Sequence, residues 1–365
     1  MTDHWYFKAP YICFGQGALM FLDSIASTKC LIVTDPGIIK FKVIDPLIAK
    51  LAELKKQYEI FSEVEPDPSE SIVMKGLEQC RRYQPDLIIG LGGGSSLDTA
   101  KTIWVLYERP DLTMDEIHPF NLLNTGVKAK CLAIPTTSGT GAEVTWATVI
   151  TRKREDGTDI KLELANKELI PTYAILDPIF TKSMPHRTTV STAFDAYSHL
   201  VESFVCIWRS DFSDAMGVKA ARMIREYLPI IIKDNANLLA REKLHNAACL
   251  AGLALGNAQV TLGHALGHAI GATFHFIHGE TVGVFMPAVL QFSINETSHE
   301  GSKKALAILA DVAKQMGVAQ WTDDLKVAAM KFIADIKELQ KLTGFPTTLK
   351  RSEERRVGKE CRSRW

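Results

Sequence analysis

Up to about residue 180 the chain alternates short apolar runs with segments of helical period, and beyond that point only helical periods remain. KCLIVTD, YEIFSEV, PDLIIGLGGG, CLAIP and TYAILDP read as strands. IDPLIAKLAELKKQY, SESIVMKGLEQCRRY and SSLDTAKTIWVLY read as helices, the second with Ser69 or Ser71 near its start. EVTWATVIT and IKLELAN read as two further strands joined by the charged turn RKREDGTD. Strands and helices in alternation imply a parallel sheet covered on both faces. The expected architecture is an α/β, Rossmann-like domain over residues 1–180, followed by an all-α domain over 181–350.

Composition excludes several classes. The chain has 365 residues, 46% of them hydrophobic and 23% charged, which suits a soluble, well-cored protein of two domains. It has no apolar run of 18 residues and no signal-like N-terminus, so neither a membrane span nor a secretory leader is expected. Seven scattered cysteines without a CxxC pair read as reduced thiols of a cytoplasmic protein. Lys+Arg and Asp+Glu balance at 42 each, and no basic stripe points to nucleic acid.

The last fifteen residues, RSEERRVGKECRSRW, stand apart in composition. They read either as a solvated basic tail or as the translation of a sequencing adapter joined to a shortened reading frame, and the second is the expectation. Without their six basic and three acidic residues, 36 basic and 39 acidic residues remain, a net charge of −3. On that reading the native C-terminus after about Lys350 is missing.

Two glycine-rich segments follow strands. GLGGGSSLDTAK, Gly90 to Lys101, delivers consecutive glycines to a helix N-terminus, where a pyrophosphate would find close backbone and free N–H groups. Ser95 and Ser96 are candidates to cap that helix or donate to phosphate. The segment fits neither GxGxxG nor a P-loop, and its plainer reading is a tight turn at a sheet edge. PTTSGTGAE, 135–143, is a polar loop whose hydroxyls suit a ribose or phosphate, or an ordinary connection. Asp35 ends the first strong strand. There it would accept from a ribose 2′-hydroxyl and repel a 2′-phosphate, favouring NAD over NADP, or simply form an Asp-Pro-Gly turn.

Four of the ten histidines fall within fifteen residues: His264, His268, His275 and His278. Asp195 and His199 lie one helical turn apart. Asp195, His199, His264 and His278 together offer one carboxylate oxygen and three imidazole nitrogens, a set suited to Fe(II), Zn(II), Mn(II) or Co(II). His275 has no clear partner and is expected not to ligate.

GGGSSLDTAK, PTTSGTGAEVT, DAYSH, and HALGHAIG followed by HG occur in the order and spacing of one family, and over residues 5–350 the chain resembles the iron-containing (group III) alcohol dehydrogenases. The resemblance implies a dehydroquinate synthase-like architecture, with a dinucleotide-binding α/β domain, a helical domain, and the metal and substrate between them. It implies that Asp195, His199, His264 and His278 hold Fe(II), with Zn(II) suited to the same ligands, and that His268 assists proton movement. It implies that Gly92, Gly93, Gly94 and Ser95 hold the pyrophosphate, that Thr136, Thr137 and Thr140 touch the nucleotide, and that Lys161 lies near the ribose. Asp98, in the first motif, is counted with the cofactor-binding residues. Asp35 matches the acidic residue associated with NAD. The implied reaction is NAD-linked interconversion of small primary alcohols and aldehydes, the metal polarising the oxygen, by a homo-oligomer of two or more chains. DAYSHLVES stands where the family more often has DALxHAIEA, and HGETVGVFMP where HGxxNAxxLP is usual. A metal- and NAD-dependent carbon–oxygen lyase, a glycerol or polyol dehydrogenase, and a non-catalytic carrier are the alternatives. The lyase would need Lys and Arg for its phosphate and carboxylate, and HALGHAIGATFHFIHGE has none. Trp146, Phe274 and Phe276 are candidates for an apolar substrate slot, or plain core.

Overall fold

A computed structural model describes residues 7–154, 156–274, 276–295 and 300–348. His275 and the 351–365 tail lie outside the described residues. The chain divides after Met184 into two compact units.

The first unit holds β1 (Tyr11–Phe14), β2 (Lys29–Val33), α1 (Pro36–Lys40), α2 (Asp45–Glu53), β3 (Gln57–Phe61), α3 (Glu70–Tyr83), β4 (Leu87–Gly92), α4 (Gly94–Glu108), β5 (Lys130–Pro135), β6 (Ala147–Lys153), β7 (Asp159–Ala165) and β8 (Tyr173–Leu176). Six strands form one wholly parallel sheet in the order β1-β8-β5-β4-β2-β3. Each central strand feeds both faces through its period of two. Leu31, Val33 and Ile88 pack into a core with Val73 and Leu77 of α3 and Ile103 and Trp104 of α4. Cys30, Ile32, Leu87 and Ile89 pack into a second core with Leu47 and Leu51 of α2. That is why these strands read as unbroken apolar runs.

β6 and β7 form a separate antiparallel hairpin. The expected strand from Glu143 begins only at Ala147. Over that stretch the backbone turns carbonyls to Lys101 of α4 instead, whose buried side-chain nitrogen donates to Ala142 (3.1 Å), Thr145 (2.9 Å) and Ala147 (2.8 Å). β1, which the sequence reading did not assign, is an edge strand with Tyr11 and Phe14 exposed.

The second unit is helical: α5 (His186–Val205), α6 (Asp211–Lys233), α7 (Leu238–Gly256), α8 (Leu262–Phe274), α9 (His278–Asn295), α10 (Glu300–Gln315) and α11 (Leu325–Leu342). Among the described residues no strand follows β8. α5 is buried along most of its length because α6, α7 and α9 surround it. Pro287 sits inside α9 and cannot donate to the carbonyl of Gly283. The side-chain amide of Gln340, on α11, donates to that carbonyl at 2.8 Å. Gly279, at the start of α9, lies so near α5 that a Cβ there would be 2.1 Å from the carbonyl oxygen of Ser191. Among the described residues no helix is long and apolar enough to cross a membrane.

Candidate functional site

In the first unit, β2, β4 and β5 are neighbours, and the loops at their C-terminal ends lie side by side. Gly92 ends β4 with φ at +154°, and a Cβ there would be 2.4 Å from Ser96 Oγ, so only glycine fits. A Cβ on Gly94 would be 2.9 Å from a methyl of Thr140, and one on Gly93 would be 3.4 Å from Thr137. The backbone N–H of Thr136 donates to the carbonyl of Gly92 at 2.9 Å. The two glycine loops are thus one surface of backbone and threonine side chains. Gly93 is the N-cap of α4 and no side chain caps that end. Of the two roles open to Ser95 and Ser96, capping the helix is therefore not taken. Gly93 takes the cap position, so Ser95 and Ser96 fall inside the first turn of α4, and Ser96 Oγ donates to Asp35 Oδ2 at 3.4 Å. An uncapped helix N-terminus beside glycines suits a phosphate.

Asp35 follows β2 and caps α1: its Oδ1 accepts from the N–H groups of Gly37 (2.8 Å) and Ile38 (3.1 Å), while Oδ2 faces Ser96. Asp98 and Lys161 are held by the hairpin. Asp98 Oδ2 accepts from Val149 N at 3.0 Å, and burial pushes its carboxyl up to about 6. Lys161 Nζ donates to Thr151 Oγ1 (3.0 Å) and pairs with Asp67 (2.5 Å). Trp146 lies under the ammonium of Lys167, 5.1 Å from its ring centre.

In the second unit, α5 carries Asp195 and His199 on one face, α8 brings His264, and α9 opens on His278. Asp195 Oδ1 lies 3.7 Å from His199 Nε2, 3.9 Å from His264 Nε2 and 3.3 Å from His278 Nε2. One ligand atom each of Asp195, His199 and His264 falls within 4.8 Å of the others, and all three residues are buried. His278 reaches the same carboxylate oxygen with its side chain 42% exposed. Asp195 Oδ1, His199 Nδ1 and His264 Nε2 are buried without a hydrogen-bond partner. Orphaned buried polar atoms are costly. Asp195 Oδ1 and His264 Nε2 are two of them, 3.9 Å apart, and His199 turns its other nitrogen, Nε2, to the same oxygen at 3.7 Å; a carboxylate and two imidazoles so placed fit a divalent cation. Burial opposes ionisation of Asp195, but His199, His278 and His264 outweigh it and hold the carboxyl well below the usual carboxylate range. Burial pushes the His199 imidazole down to about 4, leaving it neutral at pH 7, the form that ligates. His268, half-buried, has its ring 5.0 Å from that of His278 and 6.0 Å from that of His264. Phe274 and Phe276 stack at 5.8 Å, with Phe274 exposed.

The pattern of the family described as iron-containing alcohol dehydrogenase matches residues 9–178, and that of its C-terminal domain matches 189–357. The chain belongs to the iron-containing alcohol dehydrogenases. It is therefore an oxidoreductase with a two-domain fold of this family, and the carbon–oxygen lyase alternative is not favoured. The NADPH-dependent butanol dehydrogenase of Clostridium saccharobutylicum is 38% identical over 341 residues, covering 93% of this chain and 84% of that one. The 1-propanol dehydrogenase PduQ of Citrobacter freundii is 37% identical over 286 residues, covering 77% of this chain and 71% of that one. The crystal structure of a 1,3-propanediol oxidoreductase superposes with a TM-score of 0.85 at 29% identity, covering 96% of this chain and 90% of that one.

Four residues beside the candidate sites carried no role in the sequence reading: Glu202, Arg187 and Glu280 in the second unit and Lys101 in the first. Glu202 accepts from His264 Nδ1 at 3.1 Å. Its signal was its position seven after Asp195, on the same face of α5. Arg187, at the start of α5, pairs in two-pronged fashion with Glu280, two residues after His278 (2.6 and 2.8 Å), and so ties α9 to α5. Lys101 carries no signal, because a lysine on a helix usually reads as solvated.

Proposed function

We propose that this dehydrogenase interconverts small primary alcohols and aldehydes, using NAD(H) and a divalent cation, Fe(II) first and Zn(II) second, held by Asp195, His199, His264 and His278. The observation that carries this reading is the buried convergence of Asp195, His199 and His264, in which Asp195 Oδ1 and His264 Nε2 have no hydrogen-bond partner. Bound there, the cation supplies Lewis acidity to the alcohol or carbonyl oxygen. A nicotinamide held by the first unit would supply the hydride chemistry, and alcohol oxidation would release one proton from the hydroxyl, which aldehyde reduction takes back. His268, beside the half-buried His278, passes that proton between the hydroxyl and solvent. Gly92, Gly93, Gly94 and Ser95 hold the pyrophosphate at the uncapped start of α4, and Thr136, Thr137 and Thr140 line the same surface. Asp98 and Lys161 contribute from the hairpin side. The enzyme works in the cytoplasm as a homo-oligomer, and exposed Tyr11 and Phe14 on edge strand β1 support such assembly.

The choice of NAD over NADP rests on Asp35. Its Oδ1 is engaged in capping, while Oδ2, which accepts only a long 3.4 Å bond from Ser96 Oγ, keeps a lone pair to accept from a ribose hydroxyl and its charge to repel a 2′-phosphate. The butanol dehydrogenase relative is NADPH-dependent, so the point is open to direct test. With propanal as substrate, kcat/KM for NADH should exceed that for NADPH. Asp35→Ser, which retains a capping oxygen, should raise the NADPH value. A preference for NADPH in the unaltered enzyme contradicts this assignment.

A further inference from the structure

Glu202 is a carboxylate buried on α5 to 4% exposure, and it is fully engaged. Its Oε2 accepts from both the backbone N–H and the hydroxyl (3.0 Å) of Thr261, the residue before α8. Its Oε1 lies 3.1 Å from His264 Nδ1. Gly263, also at the start of α8, leaves room for it, since a Cβ there would be 2.1 Å from Oε1. Two Thr261 donors on Oε2 make the group an acceptor, so the proton of the remaining contact belongs to His264 Nδ1. The lone pair of His264 is then on Nε2, the atom that is buried without a partner and faces Asp195.

We propose that Glu202 is the positioning residue of the metal centre, fixing His264 as its Nδ1–H tautomer, and with it the ring plane, so that Nε2 is presented to the cation. This rests on the metal-centre reading above. A carboxylate behind a ligating imidazole sets its tautomer and raises its basicity. Here the same carboxylate also docks the start of α8 on α5, so the ligand from α8 is registered against the two from α5 by one side chain. Glu202→Gln cannot meet both demands. Its amide oxygen suits Thr261, but its amide NH₂ then points at His264 Nδ1 and favours the Nε2–H tautomer, which has no lone pair for the cation.

The test uses the full chain, metal-free, with ¹⁵N-labelled histidine, the His264 signals being assigned from a His264→Asn protein. The unaltered protein should show His264 as Nδ1–H, and Glu202→Gln should show it as Nε2–H. Zn(II) affinity, by competition with a chelator, should fall about 10–100-fold in Glu202→Gln. A role in fold stability alone would leave the tautomer as it was. The tautomer of the unaltered protein needs no variant to fold, and finding Nε2–H there overturns the proposal. Zn(II) bound with undiminished affinity by Glu202→Gln overturns the role of Glu202 alone. An unaltered protein that shows Nδ1–H but takes up no Zn(II) overturns the metal-centre reading and this role with it.

Discussion

Gly279→Ala tests whether the close approach of α9 to α5 serves the site. The added Cβ would stand 2.1 Å from the Ser191 carbonyl oxygen, 2.8 Å from its carbon and 3.1 Å from Asp195 Cβ. An ordinary carbon–oxygen contact is about 3.3 Å, so α9 must retreat by about 1.2 Å at this point. The obstacle is helix backbone, which cannot rotate aside. Forced overpacking of this kind costs about 1–3 kcal/mol, or about 2–4 °C in Tm for each kcal/mol in a unit this size. His278 is the preceding residue, and its Nε2 is 3.3 Å from Asp195 Oδ1, so the same retreat draws it from the group. A misplacement near 1 Å at a reacting centre can cost about 100-fold in rate, so turnover should fall along with metal affinity. The assay is Tm together with Zn(II) affinity, and the prediction is that both fall. Two other glycines separate the effects. Gly283→Ala meets Phe345 at 2.5 Å, so Tm should fall while affinity changes little. Gly301→Ala, exposed with nothing within 4 Å, should leave affinity unchanged and Tm equal or higher, since Ala gains up to about 1 kcal/mol over Gly in a helix. Unchanged Tm and affinity in Gly279→Ala would refute the reasoning.

Two further predictions concern the first unit. Lys101→Met leaves the carbonyls of Ala142, Thr145 and Ala147 without their donor, at about 1–3 kcal/mol for each that water cannot reach. The loop carrying Thr137 and Thr140 should loosen, seen as a lower Tm and a raised KM for the nucleotide, whereas an unchanged KM would separate Lys101 from that loop. Burial pushes the Cys30 thiol up to about 11 and those of Cys80 and Cys131 up to about 12. The native protein at pH 8 should therefore resist iodoacetamide at these three positions, and the unfolded chain should not, as peptide mass spectrometry will report. With the folded pKa raised above the unfolded one, the stability these thiols confer is complete below the ordinary thiol range and is lost as pH rises toward 11–12.

The parallel sheet was legible because strands buried on both faces, such as LIIGLG of β4, leave unbroken apolar runs. β1 was not, because YICF is a half-exposed edge strand whose pairing with β8 is a long-range fact. The late start of β6 goes with one lysine reaching three carbonyls, and no local pattern encodes that. The convergence of Asp195, His199 and His264 was legible from the one-turn spacing and the clustering of imidazoles. Glu202 had only its spacing of seven from Asp195 as a signal, which is weak because a lone glutamate on a helix reads as solvent-facing until α8 packs over it. Of the two roles open to Ser95 and Ser96, capping is ruled out because Gly93 takes the cap position and places both serines inside the first turn of α4.

The most direct test of the metal-centre account follows loss of NADH absorbance with propanal, using protein stripped by a chelator and then reloaded anaerobically with Fe(II). The account predicts that stripping abolishes turnover, that Fe(II) restores it, and that Asp195→Asn is not restored. Full turnover by the stripped protein, or full restoration of Asp195→Asn, would contradict it.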